Sequence, residues 1–472
     1  MAMGKRRAEE QPAFWISTAE LPRTGGHPFY EQLNKILDAE GFDRFVEESC
    51  KRFYAEKMGR PSLAPARYFR MLLIGYFEGL DSERGIAWRV SDSMALRGFL
   101  GYSLTEQTAD HSTLSRNRRL IDMETHHEVF TWVQIVLAKH KLLQGKTLGV
   151  DATTLEANAA LRSIVRRDTN EGYQEFLTRL AKASGIETPT REDLARIDKN
   201  REKKGSNDDW QNPHDPDAKI TKMKDGRTHL AHKSEHAIDM QTGAIVAVTL
   251  QPANRGDTAS IEETIQEADR NLVAVMKDAA ACQQISEQVL TEVVGDKGYH
   301  SNEVLTTQNE REIRTYISEP DRGRRHWVGK TPEEITKRTA ARNAVYGNRR
   351  RIRAKRGKAL LRRRGELLER SFAHCYDTGG MRRTHLRRHE NILKRLLVHA
   401  AGFNLGLVMR KIMGIGTARG LQGFFALLLA LVQRLKRAAS LLTNYIFRQS
   451  PPVVSHLRWF AALRQTGFTT GC

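Results

Sequence analysis

The spacing of apolar residues changes at Thr147, and this change limits the fold more than any other feature of the sequence. Before that point the chain shows helical spacing at Tyr68, Met71, Leu72 and Tyr76. No proline interrupts residues 29–60, and Pro65 stands where a helix can begin, because a proline is tolerated in the first turn. Residues 28–140 are therefore predicted to form an all-helical, possibly DNA-binding, domain.

From Thr147 onward the sequence has short apolar runs typical of strands. The runs are TLGVDATT, HLAHKSEHAID, AIVAVTL, VLTEVVG and IRTYI. The second and third are joined at Gly243, which predicts a hairpin turn. Residues 258–278 and the stretch SNEVLTTQNER are predicted to be helices. This order predicts an α/β fold with a mixed five-stranded sheet flanked by helices.

Two long insertions interrupt the predicted catalytic domain, which spans residues 141–410. The first, about residues 160–225, is polar, and we expect it to be partly helical and loose near residues 203–217. The second, about residues 320–360, is strongly basic. Residues 411–472 are predicted to be a separate basic C-terminal region, to which the sequence assigns no role.

The net charge of +20 is unevenly distributed over the 472 residues. Residues 1–336 carry a net charge of −5, whereas residues 337–472 carry +25. Such asymmetry favours a polyanionic partner, and nucleic acid before an anionic membrane.

Several other classes of protein are excluded by simple features. The four cysteines are Cys50, Cys282, Cys375 and Cys472. Their wide spacing argues against a disulfide framework or a structural zinc site. The first residues lack the apolar core of a signal peptide, and the run FFALLLALV at residues 424–432 is too short to span a bilayer. We expect a cytoplasmic protein.

Two aspartates stand at the ends of predicted strands. Asp151 follows Leu-Gly-Val, and Asp296 follows Val-Val-Gly. A single aspartate in this position is commonly a turn former or a helix cap. Here both strands are predicted to share one sheet, and neither aspartate has an obvious local cation. Two adjacent carboxylates repel each other, and a divalent cation offsets that repulsion best.

Metal-assisted chemistry on phosphate esters commonly uses a third carboxylate. The candidates in the basic region are Glu366, Glu369 and Glu390. A glutamate among arginines is equally a salt-bridge partner, so composition does not separate the two interpretations.

Four stretches of the sequence resemble the bacterial insertion-sequence DDE transposases. LGVDATTLEANA resembles the first-aspartate motif, and VVGDKGYHSNEVL resembles the second. ELLERSFAHCYDTGGMRRTHLRRHENILKRLLVHAAGFNLG resembles the third, in which a glutamate-arginine pair and an aromatic residue open a helix. The fourth stretch resembles the N-terminal helical domain of the family. It begins with PSLAPARYFRMLLIGYFEGL and continues to DHSTLSRNRRL. The resemblance covers roughly residues 28–410 and implies the RNase H-like fold shared with retroviral integrases.

The resemblance assigns the three catalytic and metal-binding positions by motif. Asp151 matches the first aspartate, Asp296 the second, and Glu369 the glutamate. Some relatives have a lysine seven residues after the glutamate, where this chain has Tyr376. Glu366 and Glu390 therefore remain alternatives for the third carboxylate.

Other residues near these motifs are candidates for contacts with DNA. The set comprises Lys297, Tyr299, His300, Arg370, Arg349, Arg350, Arg351, Arg116, Arg118 and Arg119. Several of these residues have an equally expected structural role. Tyr299 could pack in the core, and His300 could cap the following helix. The three arginines of residues 112–120 could belong to an ordinary surface helix. Lys233 and His236, on the strand predicted beside Asp151, either face the site or lie on a solvated face. Asp257 is predicted to cap a helix rather than to bind metal.

The resemblance implies a transposase that binds the ends of an insertion element, cleaves a DNA strand and joins it to target DNA. It implies two Mg²⁺ ions, with Mn²⁺ as a possible substitute, and double-stranded DNA as partner. A homodimer or higher oligomer is expected in the synaptic complex, together with a nucleoid-associated cytoplasmic location and no membrane. The alternatives are an RNase H-like nuclease without strand transfer and a catalytically decayed DNA-binding repressor.

Overall fold

The computed structural model describes residues 26–421, except 56–61, 104, 202–204, 224–225, 322, 324, 326 and 329–330. The chain up to Thr417 forms one compact unit, and a second unit begins at Ala418. The apolar run at 424–432 and most of the predicted C-terminal region therefore lie outside the described residues.

Seven helices precede the sheet. They are α1 (Pro28–Ala39), α2 (Phe42–Cys50), α3 (Pro65–Glu78), α4 (Glu83–Ser91), α5 (Met94–Phe99), α6 (His111–Leu120) and α7 (Met123–Lys139). Ser82, Ser93, Asp110 and Asp122 each cap the helix that follows by accepting a backbone N–H bond. Helix α3 is buried over most of its length, so it forms the centre of this region. The described part of residues 28–140 contains no strand, and the prediction of an all-helical region is confirmed.

Eight strands follow. They are β1 (Thr147–Glu156), β2 (Val165–Arg166), β3 (Trp210–Gln211), β4 (Lys219–Lys222), β5 (Thr228–Asp239), β6 (Ile245–Pro252), β7 (Glu292–Gly295) and β8 (Arg314–Ile317). The main sheet has the order β6-β5-β1-β7-β8, with antiparallel pairing of β6, β5 and β1 and parallel pairing of β1, β7 and β8. Gly243, at φ +79°, makes the predicted turn between β5 and β6.

The sheet has six strands, so the predicted number of five is wrong. The additional strand is β4, which belongs to the polar insertion and pairs with the first residues of β5. Its sequence, Lys-Ile-Thr-Lys, lacks a long apolar run because its residues are only partly buried or exposed.

The remaining helices cover the sheet and its insertions. They are α8 (Tyr173–Ala183), α9 (Arg191–Asn200), α10 (Asp257–Met276), α11 (Ala279–Cys282), α12 (Asn302–Glu310), α13 (Pro332–Arg353), α14 (Lys355–Phe372) and α15 (His389–Met413). Successive residues of β5 face opposite sides of the sheet. Glu235 contacts α10, whereas His236 contacts α14, so these two helices cover opposite faces.

The polar insertion is more ordered than predicted. Trp210 is buried with Ile164 and Leu230 in a small apolar cluster. Asn212 and Asp215 are fully buried, and the Asn212 side-chain oxygen accepts backbone N–H bonds from His214 and Asp215. The expectation of a loose segment near residues 203–217 was wrong for its described part, because these polar side chains bond to the chain itself.

Helix α15 forms the centre of the compact unit. It packs against α3, α7 and β6, and Asn404 bonds both the backbone N–H and the carbonyl of Ile245 at 2.9 and 2.8 Å. The stretch His389–Leu421 is long and apolar enough to cross a membrane, but 89% of its most apolar window is buried inside the protein. That burial is typical of a core helix.

Candidate active site

The sheet brings Asp151 and Asp296 together. The parallel pairing of β1 and β7 ends with Gly149 opposite Val294, and Asp151 and Asp296 each follow two residues beyond that pair. Neighbouring strands are about 4.8 Å apart. The negative charge of Asp296 contributes to a raised pKa of Asp151, although burial of Asp151 is the larger cause. The two carboxylates therefore share one edge of the sheet.

Asp151 has a cationic partner that the sequence did not indicate. The Arg364 guanidinium, on α14, lies 2.7 Å from Asp151 Oδ2, and its Nε donates to the Val150 carbonyl at 3.0 Å. The Arg364 side chain is only 10% exposed. The sequence showed no obvious local cation for either aspartate, and the cation that pairs with Asp151 comes from a distant part of the chain.

Asp296 is held by a short turn that is fixed to the sheet. Its Oδ1 accepts the Gly298 N–H at 2.7 Å. The buried Tyr299 hydroxyl donates to Glu235 Oε1 at 2.7 Å. Glu235 also accepts from Ser260 and Thr264, and burial raises its pKa. Tyr299 thus has the packing role that was one of its two predicted roles. Lys297 is exposed and His300 is buried.

A third aspartate, Asp257, lies beside Asp296. Lys233 Nζ donates to Asp257 Oδ1 at 2.6 Å. A Cβ added to Gly298 would lie 2.4 Å from Asp257 Oδ2 and 3.0 Å from Asp296 Oδ1, so the glycine permits this approach. Asp257 is the first residue of α10, but the N-cap is Gly256 and no side chain caps the helix, so the prediction that Asp257 is a cap was wrong. The sequence contained a signal for a role of Asp257 in the site, because Asp257 follows β6. This strand runs parallel to β1 and ends at the same edge of the sheet.

Glu369 lies in the last turn of α14, so the expectation that it opens a helix was wrong. Arg364, five residues earlier, occupies the inward face of α14, whereas Glu369 is exposed. Among the described residues, the Glu369 side chain makes no hydrogen bond or ion pair. The other two candidates each have a cationic partner at 2.6 Å: Arg370 for Glu366 and Lys394 for Glu390. Of the three candidates, Glu369 thus has the carboxylate available for a ligand.

Several arginines that were predicted to contact DNA bond instead to other residues of the protein. Arg349 pairs with Glu319 through two 2.8 Å bonds, and Arg351 donates to the Thr315 carbonyl at 2.8 Å. Arg118 is buried and pairs with Glu83. Exposed positions of the same set are Arg116, Arg119, Arg350 and Arg370.

The two remaining candidates on β5 face opposite sides of the sheet. His236 is buried, and Ser371 and Tyr376 contact its ring nitrogens. Lys233 lies on the side of α10. Tyr376, where some relatives have lysine, is fully buried and bonds Ser234 Oγ at 2.7 Å, so this position has a structural partner here.

Comparison with known families agrees with this geometry. Residues 19–120 match the family described as Transposase domain (DUF772), and residues 190–405 match the Transposase DDE domain. The chain belongs to the DDE transposases of bacterial insertion sequences. No curated protein matches it. The DDE match contains Asp296 and Glu369 but begins after Asp151, which lies on β1, the strand that pairs with β7.

The transposase family implies dependence on a divalent metal. The side chains at this edge offer carboxylate oxygens, which suit hard cations. Within the described residues no group of three ligating side chains is close enough to hold an ion. Asp151 and Asp296 fit as the first two ligands, and the Asp151–Arg364 ion pair competes for one of the oxygens.

Proposed function

We propose that this transposase cuts DNA at the ends of its element with Asp151, Asp296 and Glu369, and joins the freed end to target DNA. The observation that carries the proposal is the register of β1 and β7, which puts Asp151 and Asp296 side by side. The free carboxylate of Glu369 on the helix that contacts Asp151 supports the choice of the third residue. Glu366 and Glu390, which have cationic partners, are the weaker choices.

Two Mg²⁺ ions, or Mn²⁺ in their place, are proposed as cofactors held by these three carboxylates. When bound, such ions make water or a 3′-hydroxyl more nucleophilic and stabilise the charge that develops on the phosphate. The protein contributes the positions of the carboxylates. Tyr299 fixes the turn that carries Asp296, and Arg364 fixes the orientation of Asp151.

The sheet supports a finer proposal for the fold, namely an RNase H-like arrangement. Two antiparallel pairs lead from β6 through β5 to β1, and two parallel pairs lead from β1 through β7 to β8. In this arrangement the first aspartate lies on the central strand, where residues 147–156 place Asp151. The β4 strand is an addition to it.

We propose double-stranded DNA as the partner, with element ends and target both engaged, and a homodimer or higher oligomer in the synaptic complex. We also propose that the chain is organised into three regions. These are a helical region at residues 28–140, a catalytic region at residues 141–410 and a basic C-terminal region at residues 411–472. A location in the cytoplasm at the nucleoid follows from the DNA partner.

The decisive experiment compares single variants on DNA that contains the regions flanking the gene. Asp151→Asn, Asp296→Asn and Glu369→Gln should lose metal-dependent strand cleavage while retaining DNA binding in a gel-shift assay. Glu366→Gln and Glu390→Gln are matched controls, because they remove the same charge from α14 or α15, and they should cleave normally.

Three results would contradict the proposal. Full cleavage by Asp296→Asn would remove that residue from the site. Hydrolysis without integration of pre-cut ends into a plasmid would favour the nuclease. If the wild type did not cleave DNA, and all three variants bound DNA as the wild type does, the repressor would be favoured.

A further inference from the structure

A basic segment lies next to Asp151 along the sheet. Residues 382–388, here called the arginine segment, have the sequence RRTHLRR and connect the end of α14 to α15. The segment contains no acidic residue. Gly380, at φ +80°, turns the chain into it, and a Cβ there would lie 3.1 Å from the Asp81 backbone nitrogen. Glycine at this position therefore fixes where the segment begins.

The arginine segment is bonded to the end of β1. The Glu156 N–H donates to the Arg382 carbonyl at 3.0 Å, and the Thr384 N–H donates to the Glu156 carbonyl at 2.9 Å. The Asn158 side chain donates to the His385 carbonyl at 2.9 Å. Since β5 pairs with the other side of β1 at Glu156, the segment lies on the side where β7 pairs with residues 147–149. Backbone bonds thus fix its position relative to the catalytic edge.

The distance from the segment to Asp151 is short. Arg382 Nη1 donates to Thr153 Oγ1 at 3.0 Å. Thr153 and Asp151 point to the same face of β1, about 7 Å apart, because side chains alternate along a strand. From Asp151 to Glu156 the strand rises about 17 Å, at about 3.3 Å per residue. Duplex DNA rises about 3.4 Å per base pair, so the point at which the segment is bonded to β1 lies about five base pairs of rise from Asp151.

The charge of the segment is only partly neutralised. Arg383 is 63% exposed, and its ion pair with Glu156 is 3.6 Å long. Arg387 and Arg388 are exposed, and within the described residues their side chains form no ion pair. Arg387 Nε donates to the Asn158 carbonyl at 3.2 Å, which holds the side chain without cancelling its charge. The exposed arginines therefore present positive charge to a polyanion.

We propose that the arginine segment binds the phosphates of the DNA duplex beside the cleaved bond and holds that bond at Asp151. This inference rests on the proposed function and names a DNA-contacting surface of the same site. The segment also contacts the helical region, since His385 Nε2 lies 3.1 Å from Asp81 Oδ2 in the turn between α3 and α4. It thus connects the catalytic carboxylates with the region that matches the N-terminal transposase domain.

The test measures binding of the full-length protein to a short fluorescent DNA duplex of random sequence, without metal, over a range of salt concentrations. The variant is Arg383→Ala with Arg387→Ala. Each lost phosphate contact lowers the slope of log Kd against log salt by about 0.9, so the slope should fall by about 2. The control is Arg179→Ala with Arg196→Ala, which removes two arginines of similar exposure from α8 and α9.

A slope equal to that of the wild type would overturn the proposal, provided that the double variant melts at the wild-type temperature. Replacement of the same two residues by lysine should keep the slope, because the charge remains. If the control variant reduced the slope by the same amount, the proposal would also be overturned, because any two exposed arginines would then have the same effect. The measurement needs no cleavage, so failure of the catalytic proposal would be seen separately, in the aspartate variants.

Discussion

At the scale of single residues, Arg364 is the main addition to the site. Its guanidinium is nearly buried and lies against Asp151. Burial raises the pKa of Asp151, and the guanidinium lowers it. Removing one member of a buried ion pair is costly, because the other charge is left without a partner. The same residue also donates to the Val150 carbonyl, so it fixes the strand on which Asp151 lies.

We expect Arg364→Met to lower the free energy of unfolding by roughly 2 kcal/mol near neutral pH, since Asp151 then remains ionised without its cation. The loss should shrink as the pH falls, because protonation of Asp151 removes the charge that the guanidinium neutralises. Urea unfolding at about pH 7 and about pH 4 measures both effects.

The matched control is Arg363→Met, one residue earlier on the exposed face, where the side chain donates only to the Gln241 carbonyl. Its effect should stay within about 0.5 kcal/mol. Equal losses in the two variants would show that the ion pair with Asp151 contributes no stability.

The sequence identified the residues whose signal is local and missed those whose partner is remote. Asp151 and Asp296 stand in motifs, so both were found, although only Asp296 follows its strand: Asp151 lies inside β1, which continues to Glu156. Arg364 and Glu235 act through contacts with distant parts of the chain, and one sequence contains no information on such pairs. Asp257 had a local signal at the end of a strand, but its position at a helix start suggested a cap.

At the scale of elements, the turn after β7 depends on a buried carboxylate. Tyr299 is tied to Glu235, which lies on β5, and Ser260 and Thr264 of α10 donate to the same group. Three elements thus converge on one side chain behind Asp296. This network holds the turn that carries Asp296 against β5 and α10.

We expect Tyr299→Phe to lower the free energy of unfolding by about 1–3 kcal/mol, because a buried charged acceptor loses a donor. Cleavage should slow while DNA binding stays unchanged, since the turn that carries Asp296 is less firmly held. Thermal unfolding and a strand-cleavage time course measure the two effects. Tyr346→Phe, on the exposed side of α13, is the control and should change neither.

The strands β1, β5, β6, β7 and β8 and helices such as α10 and α12 were predicted because each has the apolar pattern of its type. The expectation that Glu369 opens a helix came from the family resemblance and not from an apolar pattern, and α14 instead ends at Phe372, three residues after Glu369. The order within the polar insertion was also missed. Buried side chains such as Asn212 replace the apolar residues that a sequence pattern would need.

At the scale of the whole molecule, three buried histidines connect stability to pH. Burial lowers the pKa of His126, His236 and His399 to about 3 each. In the unfolded chain a histidine has a pKa of about 6.5. Below about pH 6.5 the unfolded state therefore binds protons that the folded state does not, and the free energy of unfolding falls as the pH falls.

We expect each histidine to contribute a slope of about 1.4 kcal/mol per pH unit between about pH 6 and pH 4, or about 4 kcal/mol per unit for the three. Urea unfolding at several pH values in this range measures the slope. His399→Gln should reduce it by one histidine's share, whereas His214→Gln, at an exposed position, should leave it unchanged. An unchanged slope in His399→Gln would mean that this histidine is protonated in the folded protein.

The central position of α15 has a consequence for synthesis of the protein. Helices α3 and α7 and strand β6 all bury apolar surface against a helix that the ribosome makes near the end of the chain. Until α15 emerges, the earlier segments expose that surface and depend on chaperones to avoid aggregation. A product truncated before His389 would lack its core, so we expect no shortened form of this protein to act alone as a DNA-binding inhibitor of the element.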